Sequence, residues 1–517
     1  MSHFLVTLPD RVRGRVPDAL SISESVSAQC ASVIGMVQDH LDKRLERYRR
    51  HTVIRDVGYR VTNGLPKADA RIIAENARRE PIADARKGIS RQAAAASKAA
   101  RLILERAVLV PVSGTATPSA AQLAELWELG EALTMLETAR AIAELSERDT
   151  QQPSTTPHLG EVRLEPTKQG IEVEYRPGDF DLERWVELHD RPFSEAEIDW
   201  TLLPVGGEIG GEGSALQEIS RASVQELGFS PNDLMDVLAL AIRLCLDHGF
   251  EFMGFDGRPF GEQVSSAAVD YLTFSEDHVT LNDLRPSATR HQRRRVWTSP
   301  LIRTGDRYFL HRDLIFEASI RWARYLTVGD WPVPRNALRD TAPLLWRALE
   351  DRSQASGATF EKYVAQRLDE TGLPHTSLKN NARIGATKLS REIDSVVVNT
   401  EQRTLHVLEF KNHRSDQNAR SLQSDLAKFL GSYAEKLERS VKEIEAEKAA
   451  TVAKVSELTG IPLDHVTDPT EWSVEAAFVF SSHSPIECLT TPRFFSGINA
   501  DDVRELFGPR DPTLGDR

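Results

Sequence analysis

Asp394, Glu409 and Lys411 are the side chains whose types and spacing best suit chemistry in this sequence. Asp394 opens a β-branched apolar run, Ile393 to Val398, and Glu409 and Lys411 close a second run, Thr404 to Lys411. Side chains alternate across a strand, so Glu409 and Lys411 share one face and Phe410 takes the other. The intervening TEQR is short enough to turn a hairpin, which sets Asp394 beside Glu409. Two carboxylates and an ammonium make a compact site for a hard divalent cation and a water molecule next to it. Charges placed at strand ends cost free energy unless they are paired or metal-bound, so the competing interpretation is a salt-bridged hairpin edge.

The elements that must hold this hairpin are legible around it. Gly357 to Glu370 has helical periodicity, with Phe360, Val364 and Leu368 on one face. A first strand is expected near Thr376 to Ile384, a long helical stretch over Asn418 to Leu458, and a strand over Trp472 to Phe480. His406 has the opposite strand parity to Glu409 and should point away from any cation.

Asp394 followed by Glu409-Phe410-Lys411 resembles the PD-(D/E)xK nuclease superfamily, the restriction-endonuclease-like fold, over roughly residues 355 to 485. The resemblance implies an αβββαβ core. It implies that Asp394 and Glu409 bind Mg²⁺, with Mn²⁺ able to replace it, and that the Phe410 backbone carbonyl is a further ligand. Lys411 would then orient or deprotonate the attacking water or neutralise the scissile phosphate. Glu361 would extend the metal shell through water, and Arg414 and Gln423 would meet the nucleic acid. The implied activity is that of a Mg²⁺-dependent nuclease, a DNA endonuclease of restriction, phage defence or repair, with RNA left open as substrate. The alternative is a nuclease-fold protein that no longer cuts and serves as a nucleic-acid-binding or assembly module.

At 517 residues the chain is too long for one ordinary core. The expected organisation is multidomain α+β: a helical region over 1–150, a mixed α/β domain over 160–345 and the nuclease-like domain over 350–500. No apolar run approaches the ~20 residues of a membrane span, and no secretory signal is evident. Three scattered cysteines, Cys30, Cys245 and Cys488, form neither a zinc cluster nor a disulfide framework, which suits a cytoplasmic protein. The net charge of −13 argues against nucleic acid over the whole surface. Between Arg285 and Arg312, however, eight arginines face one aspartate. Arg293, Arg294 and Arg295, interleaved with Trp297, Tyr308 and Trp322, are the expected contact with a nucleic-acid backbone. If the protein has only structural partners, those three arginines should instead pair internally.

Other stretches carry less. The helical N-terminal region is the expected surface for a homodimer or a partner protein. Asp149 to Leu159 suits a linker, and Val162 to Tyr175 a β-hairpin around Lys168-Gln169-Gly170. Gly206 to Gly213 contains Glu208 and Glu212 but no lysine, so it suits a turn better than a phosphate cradle. Ser230-Pro231-Asn232-Asp233 is a helix start, followed by a helix with Cys245 in its core.

Overall fold

A computed structural model describes residues 2–21, 25–63, 99–149, 160–181, 214–248, 252–261, 264–284, 295–333, 335–412, 425–426, 428–463, 466, 468–481, 484–490 and 495–507. The chain is mixed α/β and divides into two compact units. The first holds residues 1–147, 161–176 and 198–354, and the second holds 148–160, 177–197 and 355–517. The boundary expected near residue 150 therefore does not separate a helical domain from a middle domain, because both contribute to one unit. Of the linker expected over Asp149 to Leu159, Asp149 ends a helix, and residues 150–159, like the glycine-rich 206–213, lie outside the described residues.

The N-terminal region is not wholly helical. It opens with strand β1 (Ser2–Thr7), followed by helices α1 (Val26–Leu45) and α2 (Ala120–Asp149). The expected hairpin forms as β2 (Gly160–Pro166) and β3 (Gly170–Pro177), and β1 pairs antiparallel with β3 to make a three-stranded sheet. Ser230 caps α3 (Pro231–Asp247) in a full capping box: its hydroxyl accepts from Asp233 N, and Asp233 Oδ2 accepts from Ser230 N. Cys245 is buried in this helix, where burial pushes its thiol up to about 11. All three cysteines are buried, and none is in a disulfide.

A four-stranded sheet follows, built from β4 (Phe252–Asp256), β5 (Thr273–Phe274), β6 (Leu301–Thr304) and β7 (Arg307–His311) in the order β4-β7-β6-β5. Helix α4 (Arg312–Thr327) places Trp322 in the core, where its indole donates to Thr298 O at 2.9 Å and its ring packs against Trp331. Trp322 is thus a core residue and not a stacking platform for bases. Among the described residues no helix is long and apolar enough to cross a membrane.

Helix α5 (Pro343–Asp369) contributes its residues up to Gln354 to the first unit and the remainder to the second. The second unit is built on a five-stranded sheet: β8 (His375–Leu378), β9 (Ile393–Asn399), β10 (Thr404–Lys411), β11 (Ser473–Phe480) and β12 (Ser496–Asn499). Its order is β12-β11-β10-β9-β8. The first three strands in sequence form an antiparallel meander, and β11 and β12 add in parallel. A parallel neighbour needs a crossover, and helices α6 (Ala434–Ala446) and α7 (Lys448–Thr459) supply it. Gly460, at φ +69°, ends α7 in the left-handed conformation that glycine adopts without steric cost.

Both faces of the sheet are covered. Phe360, Val364 and Leu368 of α5 pack with Val397, Leu408, Ala477 and Val479 on one face. Helix α6 lies over β10 and β11, and α7 over β8 and β9. Two-sided burial explains the continuous apolar runs in β9 and β10.

Candidate active site

The β9–β10 hairpin turns through Thr400–Arg403, with Asn399 Oδ1 accepting from Gln402 N at 3.1 Å and Arg403 at positive φ. From that turn the register pairs Ser395 with Leu408 as its last partners. Extending it by one position sets Asp394 opposite Glu409, as strand alternation requires. There the backbone ladder gives way: the Phe410 N–H donates to Asp394 Oδ2 at 2.7 Å instead of to a strand carbonyl. On its other edge β9 shifts register against β8 between Ile393 and Val396, a bulge at Asp394–Ser395. A bulge re-aims the side chain it carries, and here that side chain is the carboxylate.

Glu409 is only 4% exposed and is held by two cations. Arg391 Nη2 donates to its two oxygens at 2.6 and 2.8 Å, and the Lys411 ammonium donates to Oε1. Lys411 also lies 5.1 Å from the centroid of the Tyr433 ring, whose face stabilises a cation. Tyr433 comes from a π-helical turn, Phe429–Tyr433, that precedes α6. Phe410 points the other way, edge-on to Phe360 in the core under α5. His406 also faces away, against the Phe507 ring.

Asp394 is the perturbed acid of the site. Burial and, after it, the Glu409 charge push it up from 3.8 to about 6, against the Phe410 N–H and the Lys411 ammonium. Glu361 adds repulsion from α5, where it is exposed. Asp394 therefore meets the charges of Glu409, Lys411 and Glu361 together. Arg414 and Gln423 lie outside the described residues, as do Arg293 and Arg294.

Arg295 requires a correction. Its Nε and Nη2 meet the two oxygens of Glu105 at 2.8 and 2.7 Å, Glu105 is 0% exposed, and the guanidinium stacks on Trp297. Arg303 pairs with Asp277, Arg307 with Asp256 and Arg312 with Asp313. Each described arginine of the basic stretch is thus committed to a carboxylate, so a local count of charge overstated what is free for phosphate.

Arg391 and Tyr433 have no motif that would have marked them. Arg391 stands three positions before Asp394, just ahead of β9, and the fold brings it onto Glu409. Tyr433 reaches Lys411 through a π-turn that periodicity does not anticipate.

Among the described residues no group of three or more His, Cys, Asp and Glu side chains is arranged to hold a metal ion. The pair Asp394 and Glu409 nevertheless fits Mg²⁺, which keeps several waters and is often held by one or two carboxylates together with substrate phosphate. Burial and the Glu409 charge together raise Asp394, and a cation held by the two carboxylates would relieve both.

The sign of that strain is measurable without metal. Between pH 3.8 and about 6 the folded chain holds a proton on Asp394 that the unfolded chain has released. Stability from the protonated acid is present below about pH 4 and is lost as pH rises through about 6. Asp394→Asn keeps an acceptor for Phe410 N–H without the charge. It is expected to be more stable than wild type above about pH 6 and to lose that advantage near about pH 4. Urea unfolding across this range in chelator checks it; a difference that does not vary with pH contradicts the assignment.

Comparison of the chain with protein-family models, with curated proteins and with solved structures returns no match.

Proposed function

We propose that the second unit is a Mg²⁺-dependent nuclease domain of the restriction-endonuclease-like type, acting as a phosphodiesterase on DNA. The observation that carries this is the convergence of Asp394, Glu409 and Lys411 beside one opened strand pair, with Asp394 raised by burial and by the Glu409 charge. The element order supports it: a helix, an antiparallel three-stranded meander, helices, and a parallel strand.

In this reading Asp394 and Glu409 hold the cation, with the Phe410 carbonyl as the further ligand that the family resemblance implies. The cation supplies Lewis-acid activation of water and offsets charge on the phosphate. Asp394 must be ionised to take part, and the Phe410 N–H fixes its carboxylate at the strand end. Lys411, tethered to Glu409 and faced by Tyr433, is positioned to hold the attacking water or to neutralise the scissile phosphate. Glu361, exposed on α5, contributes negative charge to the same region and would act through water.

The test is an assay of the full chain on supercoiled plasmid, linear duplex, single-stranded DNA and RNA, each with Mg²⁺, Mn²⁺ or chelator. Metal-dependent cleavage of DNA is expected. Binding that ignores metal, with no cleavage, supports a second reading: a nuclease-like fold that no longer cuts and serves as a binding or assembly module. One observation favours that reading, since Arg391 and Lys411 already neutralise Glu409 in the place where a cation would bind.

A further inference from the structure

We infer that Arg391 is a phosphate-binding residue parked on Glu409, released when a divalent cation and a substrate phosphodiester enter together. This rests on the nuclease reading of the same site.

Arginine meets a carboxylate most favourably fork to fork, two nitrogens on two oxygens. One structural pair in this protein does so: Arg106 on Asp42 through Nε and Nη2 at 2.7 and 2.5 Å. Arg391 does not. Its Nη2 alone takes both oxygens of Glu409, while its Nη1 is buried and has no hydrogen-bond partner among the described residues. A buried donor left unpaired costs free energy; Arg44, Arg303 and Arg307 each leave a buried Nε without a partner among the described residues, but Arg391 leaves a terminal Nη1 so, beside the two carboxylates of the site. A second acceptor with oxygens spaced for a fork, such as a phosphodiester, would satisfy it.

Charge gives the same direction. Arg391 and Lys411 offset the charges of Asp394 and Glu409. A divalent cation on those carboxylates leaves the cluster with excess positive charge and competes with Arg391 for Glu409 oxygens. An entering phosphodiester removes part of that excess and offers Arg391 the acceptors it has lost. Cation and substrate therefore favour each other through one arginine, and the reciprocity is thermodynamic. Arg391 lies just ahead of the first residue of β9, so its side chain can move without breaking a strand pair.

The experiment measures binding, not turnover. Mn²⁺ binding to the full chain is followed by the loss of the free-ion paramagnetic signal, with and without a phosphorothioate duplex. Wild type, Arg391→Gln, Arg391→Lys and the double variant Asp394→Asn with Glu409→Gln are compared. Without DNA, Arg391→Gln should bind Mn²⁺ about five- to tenfold more tightly than wild type, because the competing cation is gone. With DNA, wild type should gain Mn²⁺ affinity and Arg391→Gln should lose most of that gain. Arg391→Lys keeps the charge without the fork: its Mn²⁺ affinity should stay within about twofold of wild type while its gain with DNA shrinks. This variant also keeps the test open should the glutamine variant unfold.

Unchanged or weaker Mn²⁺ binding by Arg391→Gln, with wild type binding normally, overturns the inference and leaves a purely structural arginine. Mn²⁺ binding by Arg391→Gln but not by wild type also overturns it, since Arg391 would then replace the cation permanently. Equal Mn²⁺ binding by wild type and the Asp394→Asn, Glu409→Gln variant is a different failure: it removes the nuclease reading, and this inference with it.

Discussion

Lys411→Ala and Asp394→Ala are each expected to lower Mg²⁺-dependent cleavage of plasmid DNA by roughly 10²–10⁴-fold, the range for loss of a positioned acid or base. Both variants should stay folded, for reasons visible at the site. Without the Lys411 ammonium, Glu409 keeps its contacts with Arg391, so no buried carboxylate is stranded. Without the Asp394 carboxylate, Phe410 N–H loses its acceptor, at about 1–3 kcal/mol. Relief of the repulsion between Asp394 and Glu409 offsets part of that. Gel assays of plasmid nicking, run beside thermal unfolding of the same preparations, separate the two effects. Full cleavage by both folded variants would remove this site from the chemistry.

The largest effect on stability should come from the other unit. Glu105→Ala leaves the Arg295 guanidinium without its carboxylate partner and the Val296 N–H without its acceptor, both at a site where Glu105 is fully buried. Breaking one side of a buried pair typically costs about 3–5 kcal/mol, because the remaining charge is uncompensated. Replacing both partners, Glu105→Leu with Arg295→Met, should recover much of that loss, since no charge is then left behind. Denaturant unfolding of the single and double variants forms a cycle that measures the coupling. Wild-type stability in Glu105→Ala would mean that Arg295 turns outward in solution, restoring it as a candidate for phosphate contact.

The two ion pairs, Glu105 with Arg295 and Glu409 with Arg391, differ in what they allow. The first sits in a core, where Glu105 Oε1 accepts from Arg295 Nε and Val296 N and holds the start of the 295–299 turn against the helix at 99–109. The second sets one arginine nitrogen on both oxygens of Glu409 and leaves Nη1 unpaired among the described residues, beside an acid that burial and the Glu409 charge raise. Perturbed acids with a nearby charge partner recur at functional sites more than at structural ones.

What could be read without coordinates was local and periodic. Alternation along Ile393–Val398 and Thr404–Lys411 determined that Asp394 and Glu409 share a face and that Phe410 and His406 do not, because strand parity follows from backbone geometry alone. Helical spacing determined the face of Phe360, Val364 and Leu368, and cap chemistry determined the start of the helix after Ser230. Tertiary structure decided the rest. The partner of Arg295 lies at Glu105, far away in sequence, and β1 joins the sheet of residues 160–177 across the helices between them. The opened ladder and bulge that turn Asp394 onto Phe410 N–H arise from how three strands meet. A sequence states which charges a stretch carries, but their partners are set by long-range packing that no local pattern encodes.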